Sequence, residues 1–585
     1  MVLSIQERRL LIEVAKGMKP ADLYLEGGNL INVYSGEILP ANVALSGDRI
    51  AYVGTSRAMV GPNTEVLDVR GLTLAPGYLE PHAHPWVLYN PLSLWNQVLP
   101  LGTTTIMCDN LFSFLLADPP TYRLFMEDFN RLDTGIWWMI RSIPQSPYPG
   151  ESEDFSLTRL ADALTPGRVA SACEITRWPE IYAGNEDLLK KMEFFESRGL
   201  PIDGHTAGCS YDRLNPLVAA GLRSCHEAIT ADQVLDRLRL GLTVMLRHSS
   251  LRPDLLELLG PLKSGHLNTS RILLTTDGPA PTFLTDHGSV DYLIATAIEQ
   301  GIEPVTAYQM ATLNGARYFG LEAEVGGIAP GRKAHINVLT SPREPRPRTV
   351  LFNGKVAARD GSLTTEPTPF AWDKYHFSKI TRPPFGKVSA EIFGIPFTAG
   401  KESFPIMDLV SAVITRRVDL PFTESEGILK LEDHPDLHHI AFISRQWDWI
   451  SSAMIRGFAR SLDGMASSYN TAAQLLVMGR NRKSMALALN RIVDMGGGIA
   501  LVDGENVIFE LPLNIGGFMS TQPLSWCSEQ LRKLLALLQE RGHPYHDILY
   551  TLLFLVCDFL PELRLTRYGL HDIKNGRVLY PSRPL

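Results

Sequence analysis

Between about Pro76 and Ala334 the chain alternates short apolar β runs with helical stretches such as "PDLLELLGPLK" and "DYLIATAIEQG". This alternation marks βα units winding a parallel sheet. No other feature narrows the fold as far. In a (β/α)8 barrel the C-terminal ends of the strands meet on one face, and that face carries the active site. On either side the texture changes. Residues 21–74 read as short strands broken by Gly-Asp and Gly-Gly turns, and strands return at 335–365 in "HINVLT" and "TVLFNGKVAARDG". The organisation expected is therefore a small β-sandwich built from both flanks (1–75 plus 335–365) around a TIM-like barrel (76–334). A Pro-rich linker follows at 366–388, then a separate C-terminal α/β domain (389–585). That domain contains "ALALNRIVDMGGGIALVDGENVIFELPL", a helix, a Gly-rich turn and a strand pair around Asp503-Gly504. A length of 585 residues is too great for one ordinary domain and fits this division.

Within the alternating region, metal-capable residues fall at the ends of expected strands. "APGYLEPHAHPW" places His82 and His84 two apart after an apolar run. Side chains two apart on a strand point to one side, so both imidazoles can aim at one spot, although a loop with two surface histidines has the same spacing. "VASACEI" ends near Glu174, "LPIDGHTAG" presents His205, "LRSCHEA" presents His226 and "RILLTTDGPAP" presents Asp277. The intervals after His84 are 90, 31, 21 and 51 residues, one or more βα units each. Four imidazoles and two carboxylates could thus gather in one pocket. Imidazole with carboxylate suits Mn, Fe or Zn. Six ligands exceed the needs of one open tetrahedral site, and two metals bridged by Glu174 would use them all.

Composition removes other classes. With 45% hydrophobic and 20% charged residues the chain has the make-up of a folded soluble protein. A net charge of −8 and the lack of a dense basic run argue against phosphate-neutralising nucleic-acid binding. None of the six cysteines forms a CxxC pair, which fits a reducing cytoplasm. "MVLSIQERRLLIEVAKG" reads as a short amphipathic helix rather than a signal peptide. "ILYTLLFLVC" at 548–557 is half the length of a membrane span and reads as a buried helix.

"PGYLEPHAH", "LPLGTTT", "IDGHTAG", "SCHEAIT" and "LLTTDG" resemble the amidohydrolase superfamily, and more closely its binuclear-metal adenine deaminases. "MATLNGARYFGL", "GGIAPGRKAHINVL", "GGGIALVDGENVIFELPLNIGGFMS" and "FLPELRLTRYGL" extend the likeness over nearly the whole chain. The resemblance implies that His82, His84 and Asp277 bind one metal, that His205 and His226 bind a second, and that Glu174 bridges them. The metals are Mn or Fe(II) by family usage, with Zn compatible. The chain departs from the family pattern at "CDNLFSF", where Asp109 alone survives, and at "PWVLYNP" after the paired histidines. It departs again at Gly278, at "ASSYNTA" and at His335.

The activity implied is hydrolysis of a C–N bond of a cyclic amidine, adenine to hypoxanthine and ammonia. Two cations lower the pKa of a shared water to give hydroxide, and Asp277 carries its proton to the leaving amine. Trp86, Tyr89, Asp109, Phe112 and His248 are candidates for binding the base, with His248 also a candidate donor to the ring nitrogen. Arg247 or Arg252 could meet an anionic or carbonyl group. The partner expected is a small purine base, with neither nucleic acid nor membrane, and a homo-oligomer is compatible with the sequence. The alternatives are an amidohydrolase for another aminopurine or a cyclic amide, and a metal-binding scaffold without catalysis.

Overall fold

The protein is described from a computed structural model covering residues 3–165, 167–250, 252–377, 380–397, 403–560 and 562–585; residues 378 and 379 of the expected linker lie outside these. Eight strands form one parallel sheet in chain order: Tyr78–Ala83, Thr103–Asp109, Ile136–Ile140, Val169–Ile175, Ile202–Gly204, Leu222–Cys225, Thr243–Arg247 and Ile272–Thr275. Helices cover the outside while side chains fill the inside, so a strand such as Thr103–Asp109 is buried at every position and reads as a continuous run. Ala83 bridges Asp277 and the His84 amide donates to the Asp277 carbonyl (3.2 Å), which closes the sheet into a barrel.

Glu80 reinforces this seam. Its carboxylate accepts from the Thr275 hydroxyl (2.5 Å) and from the Thr276 amide (2.9 Å) and hydroxyl (2.7 Å), joining the first strand to the last. Burial outweighs these bonds and pushes its pKa up to about 7.

A nine-stranded sheet is built from both flanks of the barrel. Thr73–Pro76 pairs parallel with Leu23–Asn32 on one side and antiparallel with Ile336–Leu339 on the other. The return of β texture at 335–365 is thus a continuation of the N-terminal sheet. His335, buried here, stacks on Phe352 and meets the Asn353 side chain at 3.1 Å.

The C-terminal part forms a second nine-stranded, mainly antiparallel sheet, with helix Arg482–Asp494 packed on it and capped by the Asn481 side chain. The hairpin Gly498–Asp503 and Asn506–Pro512 turns at Asp503-Gly504. Gly497, at φ 129°, approaches Gly517 so closely that a Cβ would stand 2.2 Å from its Cα, so this crossing admits only glycine.

This domain sits on the barrel mouth. The Ser520 amide donates to Leu88 O (2.7 Å), Asn90 Nδ2 donates to Ser520 O (2.8 Å), and the Phe112 and Phe518 rings stack at 3.6 Å. Helix Ile548–Phe554 is the buried helix expected from "ILYTLLFLVC", although it ends three residues sooner. No helix among the described residues is long and apolar enough to cross a membrane. All six cysteines are free and buried.

The central strand Leu437–Ile443 carries His438 and His439, both buried. Burial, with the positive charge of Arg480 beside His438 and of Arg482 beside His439, holds both rings down at about 4. His335 is held at about 4 by burial as well. Above about pH 6.5 these rings are neutral in both the folded and the unfolded chain. Between about 6.5 and 4 only the unfolded chain takes the proton, so stability falls as pH falls. Each ring is worth on the order of 3 kcal/mol at the acid limit. The melting temperature should therefore drop steeply between pH 7 and 4.5, and His439→Gln should flatten that drop. An unchanged slope in the variant would show that His439 does not drive it.

Candidate active site

Every barrel strand delivers at least one polar side chain to the C-terminal face. His82 lies near the end of the first strand and His84 follows it, while Asp109 ends the second and Arg141 follows the third. Glu174 lies in the fourth, Asp203 and His205 come from the fifth, His226 and Glu227 follow the sixth, Arg247 ends the seventh and Asp277 follows the eighth. The six residues singled out by sequence as ligands meet here. His82 Nε2 and His84 Nε2 stand 3.2 Å apart, and Asp277 Oδ1 lies 3.6 and 3.1 Å from them. His205 Nδ1 and His226 Nε2 stand 3.3 Å apart, and Glu174 Oε2 lies 2.8 and 3.2 Å from them. Glu174 Oε1 turns the other way, to within 3.6 Å of His84 Nε2.

These edges match the spacing of two ligands that each lie about 2.1 Å from a common ion. Three overlapping groups are able to hold a cation: His82, His84 and Asp277; His82, Glu174 and His226; and His205, His226 and Glu227. The donor set, imidazole and carboxylate, suits Mn, Fe or Zn.

A supporting layer lies beneath. Asp203 Oδ2 stands 2.8 Å from His82 Nδ1 and 3.6 Å from His226 Nδ1. Asp109 Oδ2 meets His84 Nδ1 at 2.9 Å. A carboxylate behind a ligating imidazole fixes its tautomer and orientation. Arg141, fully buried, donates from Nη2 to Asp109 Oδ2 (2.7 Å) and to Glu174 Oε1 (2.6 Å). Arg247 Nη1 bridges the Glu227 and Asp277 carboxylates, the latter at 2.8 Å.

The electrostatics follow from this packing. Burial works to raise the Glu174 pKa, but Arg141 and His205 hold it well below the usual carboxylate range. Asp277 is likewise held well down against burial, by His84 and Arg247. Glu227 is brought to about 2, with Arg247 and His205 overcoming burial. Against its burial, the Asp109 and Asp277 carboxylates raise His84 to about 9, while Asp203 and Glu174 lift His226 well above its usual value. With its imidazoles neutral, the floor holds five carboxylates, Asp109, Glu174, Asp203, Glu227 and Asp277, against the three guanidiniums of Arg141, Arg247 and Arg252, so the floor is net negative. It would hold divalent cations, with the imidazoles binding them in neutral form.

Above this floor is a cavity of about 290 Å³. Barrel loops give it Trp86, Gln145, Thr176, Trp178 and Arg252, and the C-terminal domain closes it with Tyr469, Thr471, Tyr550 and Phe554. Its size is at the low end for a small-molecule pocket. Several departures from the family pattern lie in this wall: Trp86, Gly278, Tyr469 and Thr471. Gly278 has a packing reason, since a Cβ there would stand 3.0 Å from His84 Cβ.

Of the five candidates for binding the base, only Trp86 lines the cavity. The Tyr89 hydroxyl donates to Pro279 O and its ring is buried in the core. Phe112 is spent on the stack with Phe518. Asp109 supports His84 and Arg141 from below. His248 packs against Phe283 and Tyr292, outside the cavity wall. Loop side chains at a barrel mouth have two destinations, and here Phe112 goes to the docked domain while Trp86 stays in the cavity wall.

Sequence reading missed Asp203, Arg141 and Glu227. A signal existed for Asp203, which lies two residues before His205 along the fifth strand. Glu227 follows His226 directly. For Arg141, a lone arginine after "WWMI", there was none.

Residues 73–357 match the amidohydrolase family and residues 412–577 match the adenine deaminase C-terminal domain. A relative from Halalkalibacterium halodurans named "Putative adenine deaminase BH0637" is 35% identical over 98% of this chain and 97% of its own. The adenine deaminase of Moorella thermoacetica is 31% identical over 96% of each chain. Among solved structures, phenylurea hydrolase B aligns with a TM-score of 0.45 at 18% identity, covering 60% of this chain and 100% of that one.

Proposed function

The chain belongs to the adenine deaminase family of amidohydrolases, and on that premise we propose that it hydrolyses adenine to hypoxanthine and ammonia. The observation that carries this reading is the convergence of His82, His84, Glu174, His205, His226 and Asp277 on the floor of one small, largely apolar-walled cavity. His82, His84 and Asp277 would hold one divalent ion and His205 and His226 a second, with Glu174 between them. Manganese or iron(II) is the reading for the pair, with zinc compatible. Bound there, the ions supply acidity to a shared water, so that hydroxide is available near neutral pH.

The chain's own groups do the rest. Trp86 and Trp178 offer flat surfaces for a bicyclic base. The Tyr550 hydroxyl donates to Gly278 O (3.0 Å), tying the C-terminal roof to the strand end that carries Asp277. Asp277, held ionised by Arg247, takes the proton of the attacking water and delivers it to the departing amine. Water adds at C6 and the C6–N bond breaks, so adenine and water give hypoxanthine and ammonia. The setting proposed is the cytoplasm.

Protein grown with manganese should contain close to two transition-metal ions per chain by elemental analysis. It should release ammonia from adenine, with the ultraviolet change to hypoxanthine, and leave adenosine untouched. Dihydrouracil serves as the cyclic-amide control. Ring opening of dihydrouracil with no ammonia from adenine would replace this reading, and no turnover of any substrate by fully metallated protein would remove it.

A further inference from the structure

The cavity wall contains more hydrogen-bond donors than its own residues can satisfy. Arg247 is 4% exposed, and its Nη1 serves Glu227 and Asp277, while its Nε and Nη2 are buried without a hydrogen-bond partner among the described residues. Arg252 is held through Nε on Asp254 (2.8 Å) and stands with Nη1 3.6 Å from Glu227 Oε2, while its Nη2 is likewise buried and without a hydrogen-bond partner among the described residues. Trp86 Nε1 adds a fourth unpartnered donor. All three residues line the cavity. Guanidinium and indole N–H groups can donate but never accept. A buried donor with no partner is costly, and most of all when charged, so these groups select a ligand that brings acceptors.

Adenine brings few acceptors to such a wall. It has ring nitrogens but no oxygen, and one edge is taken up by its amine. Arg247 is bonded through Nη1 to Asp277, which the deaminase reading sets beside the reacting carbon, so this guanidinium stands on that side of the cavity. A guanidinium fork suits an oxygen and a neighbouring ring nitrogen together. Resting on the deaminase reading above, we infer that the preferred substrate is an aminopurine with an oxo group on the ring carbon beyond N1, that is, 6-amino-2-oxopurine. Its deamination balances as the parent reaction does. Water adds at C6, the C6–N bond breaks, and xanthine and ammonia leave.

Products bind without turnover and so report recognition apart from chemistry. Titration calorimetry of metal-loaded protein with xanthine and with hypoxanthine should show xanthine bound at least tenfold more tightly. Arg252→Met, at a side chain 29% exposed that pairs with Asp254 and, at 3.6 Å, with Glu227, should abolish most of that preference, with the melting temperature measured on the same variant. Equal affinities in the wild type, or a preference that survives in Arg252→Met, overturn the inference. Ammonia release is followed in parallel from adenine and 6-amino-2-oxopurine. Adenine turnover without a xanthine preference rejects this inference and leaves the deaminase reading intact. A xanthine preference with no ammonia from either base rejects the deaminase reading instead.

Discussion

Asp277→Asn should lower kcat by at least about a hundredfold, the lower range for a group that moves a proton in the transition state. The substitution is clean for a structural reason. Asp277 has φ 63°, in the left-handed region, where asparagine is among the few non-glycine residues at ease. The backbone that closes the barrel between Ala83 and Asp277 is therefore kept. The amide is nearly the same size, and its oxygen can still accept from Arg247, which reaches Asp277 Oδ2 at 2.8 Å. What is lost is the negative charge and the capacity to take a proton. KM should change much less than kcat. Because Asp277 is also a proposed ligand, metal content must be measured on the same sample. A fully metallated variant with near wild-type kcat would show that another residue moves the proton.

The second large effect should come from Arg141→Met. The guanidinium is fully buried and neutralises two carboxylates, Asp109 and Glu174, that are themselves buried. Removing one partner of a buried ion network leaves charges unpaired and costs roughly 3–5 kcal/mol. The variant should melt several degrees lower and lose metal, because Glu174 Oε1 and, through Asp109, the His84 ring would both lose their anchor. Arg123→Met is the matched control. Its ion pair with Asp162 is half exposed on both sides and should be worth no more than about 1 kcal/mol. Arg141→Lys keeps the charge without the fork and should fall between the two. Equal melting of Arg141→Met and Arg123→Met would show that the network beneath the site does not hold it together.

The corrections to the sequence reading share a cause. Tyr89 and Phe112 follow strand ends, and a barrel taken alone places such residues at the base-binding face. That placement does not include a second domain whose Ser520 and Phe518 meet the same loops. The roof residues Tyr469, Thr471 and Tyr550 were invisible as site residues for the same reason, since they lie about 190 to 270 positions beyond Asp277.

By itself the sequence determined the parallel barrel and the meeting of His82, His84, Glu174, His205, His226 and Asp277. Alternation of strand and crossover helix leaves the strand C-termini only one face to share, and a residue at a strand end inherits its place from that topology. Tertiary structure alone decided which charges stand behind the ligands and what covers them. Arg141 reaches Glu174 across 33 residues, and Phe112 finds Phe518 across 406. Such pairings are set by the packing of whole elements, and no local pattern of residue types encodes where a side chain meets a partner that distant.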